Sequence, residues 1–187
     1  MKRGDKKPAG KREAVILFVV GGFTMAIAAH AVGEIRNTGG VKPLPAGAAT
    51  GRLAKFKGLL ERDRKRYFVV DSNHHFRLFP SKASRLLVLR GTAAAVLVDH
   101  TDRIIEIGAV HALPRAFHGE ERQWYRGLAM IDERVVPVVD PGAFMSKSEF
   151  AVLQASVAGA EAAEKTKDGR ETQRSVAAPP KKGAATA

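Results

Sequence analysis

The chain has no cysteine, and only one tryptophan and two tyrosines among its 187 residues. Without cysteine there can be no disulfide, no zinc–thiolate site and no thiol nucleophile, so stability has to come from packing. Six histidines are present, none at a spacing that suits a metal ion. His74 and His75 are neighbours, whose side chains would point to opposite faces of an extended strand, and near a turn both are expected at the polar surface. The sequence also lacks a Ser-His-Asp arrangement, a phosphate-binding glycine loop and a paired-carboxylate motif. Neither enzymatic activity nor a cofactor is expected.

Acidic residues are scarce as well, 19 against 31 Lys and Arg, for a net charge of +12 that suggests an anionic partner. The excess is local. Residues 1–13 carry six cations against two acids and residues 52–66 seven against two, while most of the remaining chain is close to neutral. The leader MKRGDKKPAGKR and the C-terminal stretch 166–187, rich in Ala, Gly, Pro and charge, have little to bury and are expected to be disordered. One medium domain with tails fits the length.

The chain matches itself at an offset of 69 residues. LFVVGGFTMAI from Leu17 lies over LLVLRGTAAAV from Leu86, and Ile35, Gly39, Val41, Leu44 and Pro45 fall on Ile104, Gly108, Val110, Leu113 and Pro114. FKGLLERDRKRYFVVD from Phe56 then lies over YRGLAMIDERVVPVVD from Tyr125, pairing Gly58 with Gly127, Asp63 with Asp132, and Val69, Val70, Asp71 with Val138, Val139, Asp140. Each copy consists of short aliphatic runs bounded by turn residues, the pattern of strands and hairpins. The copies, about 14–75 and 83–144, are each too small for a comfortable core and are expected to pack as one unit.

The repeat bears on KREAVILFVVGGFTMAIAAHAVGEI, which alone resembles a secretory signal: a basic leader, an apolar run and a small-residue AHA. Its partner segment, SRLLVLRGTAAAVLVDHTDRII, carries Arg85, Arg90, Asp99 and Asp102 and can be neither a signal core nor a bilayer span. Both are therefore expected to be strand, turn and strand, with Gly21-Gly22 forming the first turn, and no membrane insertion is expected. After the second copy the period changes. Ser146 and Glu149 fit a capping box, and Phe150, Leu153, Val157 and Ala160 mark one face of a helix expected over 147–165.

The segment ILFVVGGFTMAIAAHAVGEI, the VKPLP from Val41, AAVLVDHTDRIIEI from Ala94 and YRGLAMIDERVVPVVDPGAF from Tyr125 together resemble the CheW-like domain of bacterial chemosensory coupling proteins, over about residues 14–150. The resemblance implies a mainly all-β fold of two pseudo-repeated five-stranded β-barrels with exchanged strands. It also implies a cytoplasmic, non-enzymatic adaptor that joins a CheA-type histidine kinase to the tip of a methyl-accepting chemoreceptor, at membrane-associated arrays that serve chemotaxis, twitching or gliding. The family commonly has Arg-Gly after Gly-x-x-Asn-Leu; here Asp63 and Arg64 stand there, reversing one charge among Arg62, Arg64, Lys65 and Arg66. The residues this assigns to partner binding are Val32, Glu34, Ile35, Gly58, Arg62, Asp63, Arg64 and Arg66. Trp124, beside the polar loop HGEER, reads as an interface anchor or as a cap on the second barrel. The basic run ERDRKR reads either as a cationic face suited to acidic protein surfaces or phosphates or as a solvated edge that discourages sheet aggregation, and the net charge leaves a nucleic-acid-binding β-barrel as the alternative function.

Overall fold

A computed structural model describes residues 12–176, with side chains as far as Ala163. The first copy comprises β1 (Glu13–Val20), β2 (Phe23–Ala28), β3 (Val32–Asn37), β4 (Val41–Lys42), β5 (Phe56–Arg62), β6 (Lys65–Asp71) and the single-turn helix α1 (Ser72–His75). The second comprises β7 (Arg85–Leu89), β8 (Ala94–Val98), β9 (His100–Ile107), β10 (Tyr125–Ile131) and β11 (Arg134–Val139), followed by helix α2 (Lys147–Val176). Matching segments at the 69-residue offset thus become matching strands. The basic leader lies outside the described residues, apart from Arg12 and Glu13, at which β1 begins. Helix α2 runs past residue 165, so the first residues assigned to the tail are helical rather than disordered; residues beyond 176 lie outside the described part.

Two sheets form, in the orders β10-β11-β2-β1-β9 and β3-β7-β8-β6-β5-β4. Replacing each strand of the first by its repeat partner gives the second, with β4 added; its counterpart in the other sheet is a single bridge between His111 and Leu128. The copies exchange their leading hairpins: β1-β2 joins β9, β10 and β11, and β7-β8 joins β3 to β6, each through one parallel pairing, β2 with β11 and β8 with β6. Each sheet curls until its β3 or β9 edge meets the opposite hairpin. Glu34 on β3 pairs with Arg62 on β5 at 3.4 Å, and one repeat later Arg103 on β9 pairs with Asp132 in the β10-β11 turn. These are the two small barrels.

The exchange explains the continuous apolar run of β1. Val15 and Leu17 point into the first sheet's own interior with Ala26, Ile131 and Val138, while Ile16, Phe18 and Val20 point into a core shared by both sheets and α2. A strand buried on both faces needs no polar alternation. The repeat partners behave alike: Leu86 and Val88 fill the second sheet's interior with Val69 and Ala95, and Leu87 and Leu89 enter the shared core. Gly21 and Gly22, at φ of 57° and 82°, make the tight turn between β1 and β2. Among the described residues no helix is long and apolar enough to cross a membrane.

Gly58 and Gly127 mark matching bulges on β5 and β10. A Cβ on Gly58 would lie 2.4 Å from Val41 Cγ1 and 2.6 Å from the Lys42 carbonyl oxygen, and one on Gly127 would lie 2.3 Å from the His111 carbonyl oxygen. Asp71 and Asp140, matched in the repeat, play the same local role. Each caps a short helical turn, Asp71 accepting from the Asn73 and His74 N–H groups and Asp140 from Gly142 N–H at 2.8 Å. The capping box of α2 forms: Ser146 N–H donates to Glu149 at 2.7 Å and Glu149 N–H donates to Ser146 Oγ at 3.2 Å. Leu153 and Val157 then bury one helix face in the shared core.

Candidate partner-binding groove

The run Glu61–Arg66 straddles a turn, so its cations do not simply alternate along one strand. Arg62 and Lys65 close the β5-β6 hairpin as a pair, and Asp63 and Arg64 are its two central residues at φ of 48° and 61°. Positive φ at both positions defines a type I′ turn, whose twist matches the flanking strands. Asp132 and Glu133 occupy the same conformation in the other barrel, at 48° and 63°. Arg64 takes a left-handed conformation that glycine adopts more readily, and projects a cation from the tip.

This hairpin forms one wall of a groove of about 1360 Å³. The β7-β8 turn around Arg90 and Gly91 forms a second wall, the start of β3 a third, and α2 a fourth. Phe68, Leu89, Met145 and Val157 supply a buried apolar floor, and Phe150, half-buried, packs its edge on the Phe68 ring at 6.0 Å. The rim is cationic. Arg62 is held by Glu34 and by Asp63 at 3.6 Å, and Arg66 reaches Glu161 on α2 at 2.6 Å. The side chains of Arg64, Lys65, Arg90 and Lys147 make no ion pair with any described residue. Beyond the Glu34–Arg62 pair lies a second hollow of about 470 Å³, lined by Ile35, Asn37 and Arg85.

Helix α2 is fixed to the barrel beside this groove. Lys55 Nζ lies 3.0 Å from Glu149, with the two side chains 12% and 19% exposed. Burial pushes the Glu149 carboxyl up, but the Ser146 N–H bond, the Lys55 hydrogen bond and the Lys55 charge together hold it below the usual carboxylate range. Glu149 thus both caps the helix and binds it to the first copy.

Of the residues singled out from the sequence, the groove gathers Glu34, Arg62, Asp63, Arg64 and Arg66, and Ile35 lines the adjoining hollow. Val32 is buried in the shared core and Gly58 serves the bulge, so neither presents a side chain to the groove. Trp124 lies elsewhere. It is half-buried among His75, Phe76 and Tyr125, with the Arg77 guanidinium 5.7 Å from its ring. Sequence reasoning did not place Lys147, Phe150 or Arg90 in a site, because their neighbours in the groove come from remote segments.

His75 corrects the expectation of a polar surface pair: His74 is exposed, but His75 is 6% exposed and stacks within aromatic rings, 5.0 Å from Phe144. In the repeat Phe144 is its own counterpart, so the two meet where the copies join. Among the described residues its Nε2 has no hydrogen-bond partner. Burial above all, then the Lys55 charge, lowers its pKa to about 3. Among the described residues no group of three or more His, Asp or Glu is placed to hold a metal ion.

The geometry has solved parallels. The fold is similar to that of the scaffolding protein TtCheW from Thermoanaerobacter tengcongensis, with a TM-score of 0.60 over 79% of this chain and 96% of that one, at 16% sequence identity. No curated protein sequence matches the chain significantly. The CheW-like domain family model matches residues 14–149, which takes in both copies, both barrels and the start of α2. Exchanged twin barrels and a sequence match across their whole extent lead to one assignment: the chain belongs to the CheW-like domain family.

Proposed function

We propose that the chain is a non-enzymatic chemosensory adaptor that couples a CheA-type histidine kinase to the cytoplasmic tips of methyl-accepting chemoreceptors. The observation that carries the reading is the family match over residues 14–149, on a fold whose ordered surface offers a large walled groove. Such an adaptor works by holding partners in register, and what it needs is rigid, separate contact faces. The Lys55–Glu149 pair, the twin cores and the edge-closing ion pairs provide rigidity. The groove and the Ile35 hollow provide faces, with Glu34, Arg62, Asp63, Arg64 and Arg66 as the contact residues.

The test is capture of the full chain by the kinase regulatory region and by receptor cytoplasmic fragments. Both are expected to bind, and capture by neither of them, with well-folded protein, would sink the reading. Reversing Arg64 and Arg66 to Glu is expected to weaken one of the two contacts by about 1–3 kcal/mol.

A further inference from the structure

The internal repeat separates what the fold requires from what it does not, because a residue of one barrel has a counterpart in the same backbone position of the other. On the outer face of β10, β11 and β2 the two copies differ. Met130 and Val135 stand directly opposite each other in the β10-β11 hairpin. The parallel register that sets Val138 beside Ala26, read back three residues, sets Val135 beside Phe23. Met130, Val135 and Phe23 are 59%, 61% and 58% exposed, and form one apolar row across three strands. Phe79, 89% exposed, extends the row, since the Leu78–Phe79 segment lies against the β1-β2 turn at Gly21. The four counterparts in the first barrel are Glu61, Arg66, Thr92 and Ser148, so the barrel forms with polar residues at every one of these positions. The face also lacks the cover its counterpart has. In the first barrel the paired Leu59 and Phe68 are buried, with Phe150 of α2 on the Phe68 ring. In the second the matching pair, Leu128 and Pro137, is only half-buried, and the residues after α1 run on to β7 without forming a helix.

We infer that this face is a self-association surface, on which a second copy of the chain packs about a two-fold axis. Two features choose this occupant. The first is area: the four exposed side chains present roughly 500 Å² of apolar surface, enough for the core of an interface that buries about 800 Å² on each partner. The second is charge. The hairpin tip beside the row carries Glu133 and Arg134 in succession, both exposed and neither in an ion pair with any described residue, while the neighbouring Asp132 is already paired with Arg103. A border of one anion and one cation has no net attraction for an acidic or a basic partner, but a two-fold axis lets Glu133 of each copy meet Arg134 of the other. The face lies on the second barrel, away from the groove, and the inference does not depend on the adaptor reading.

Sedimentation equilibrium of the full chain, from about 1 to 500 μM, is expected to show a reversible monomer–dimer equilibrium. The double variant Phe23→Thr, Val135→Arg installs the residues that the first barrel carries at these positions, and is expected to raise the dimer dissociation constant at least about tenfold with an unchanged circular dichroism spectrum. Val152→Gln, which alters an exposed apolar residue on α2, is expected to leave the equilibrium as it was. A charge exchange tests the two-fold arrangement without touching the apolar row: Glu133→Lys alone is expected to weaken the dimer, and Glu133→Lys combined with Arg134→Glu to restore it. A chain that stays monomeric throughout, a dimer insensitive to the double variant, a dimer lost with Val152→Gln, or a charge exchange that restores nothing would each overturn the inference. Kinase and receptor capture by the double variant is read alongside. Capture lost by that variant while the unaltered chain is monomeric would give the face to that partner instead; capture by neither, with the dimer intact, would sink the adaptor reading and leave this inference standing.

Discussion

His75 is the residue whose environment most directly sets a measurable property of the whole protein. Its ring lies 4.9 Å from Phe76 and 5.4 Å from Trp124, and its Nε2 is buried with no hydrogen-bond partner among the described residues. In the unfolded chain it titrates near 6.5; in the folded one burial, then the Lys55 charge, with Glu149 opposing and His74 adding slightly, lowers the pKa to about 3. Below pH 6.5 the unfolded state therefore gains a proton that the folded state refuses, so the stability present at neutral pH is lost progressively as pH falls. One proton is worth about 1.4 kcal/mol per pH unit, so His75 alone costs about 2 kcal/mol between pH 6.5 and pH 5. His75→Phe installs the ring that its repeat counterpart Phe144 already carries. Urea denaturation of both proteins at pH 5, 6 and 7.5 is expected to show a shallower loss in the variant, by about one proton's slope, and a gain at neutral pH of about 1 kcal/mol from removing the unsatisfied nitrogen. Carboxylates contribute equally to both proteins and cancel. Parallel stability–pH curves would refute the argument.

Other outcomes can be measured in the same way. Arg64→Gly and Glu133→Gly each relieve a left-handed non-glycine residue in a type I′ turn, and both are expected to stabilise by about 0.5–1 kcal/mol in urea denaturation. Gly58→Ala forces a Cβ onto the Lys42 carbonyl and is expected to destabilise by about 1–3 kcal/mol, with amide exchange rising at Val41 and Lys42. Lys55→Met leaves Glu149 without its cation in a largely buried site and is expected to cost about 1–3 kcal/mol and to loosen α2, read by proteolysis near Ala151. N-terminal sequencing of the protein isolated from its own cell is expected to find Lys11 to Ala31 intact, since cleavage there would remove β1 and β2.

The architecture was legible because duplication supplies an internal alignment. Aliphatic runs, the Gly-Gly turn, the Gly58 and Gly127 bulges and the Ser146 capping box each have a local cause, and local causes are written in adjacent residues. The groove was legible only in part. Arg62, Asp63, Arg64 and Arg66 are contiguous and could be singled out, but Arg90 and Lys147 join them through the β7-β8 exchange and the docking of α2, which no local pattern encodes. His75 misled for the same reason: a pair of histidines after a strand looks polar until Trp124 and Phe144, far along the chain, cover one of them. Val32 and Gly58, marked by the family motif, lie in the core and at a bulge, where they shape the groove's surroundings rather than line it.

The hairpin exchange also fixes an order of events while the chain is being made. β1 and β2 leave the ribosome first, yet Glu13 pairs with Ile107 and Val139 with Ile27, so their neighbours are among the last residues to arrive. The earlier barrel closes once β8 has emerged, and the apolar ribbon AVILFVV waits through that closure with its outer edge unpaired. A chain stalled before β9 therefore carries one closed barrel and one exposed, aggregation-prone hairpin, and it is this species, not the finished adaptor, that most needs a chaperone.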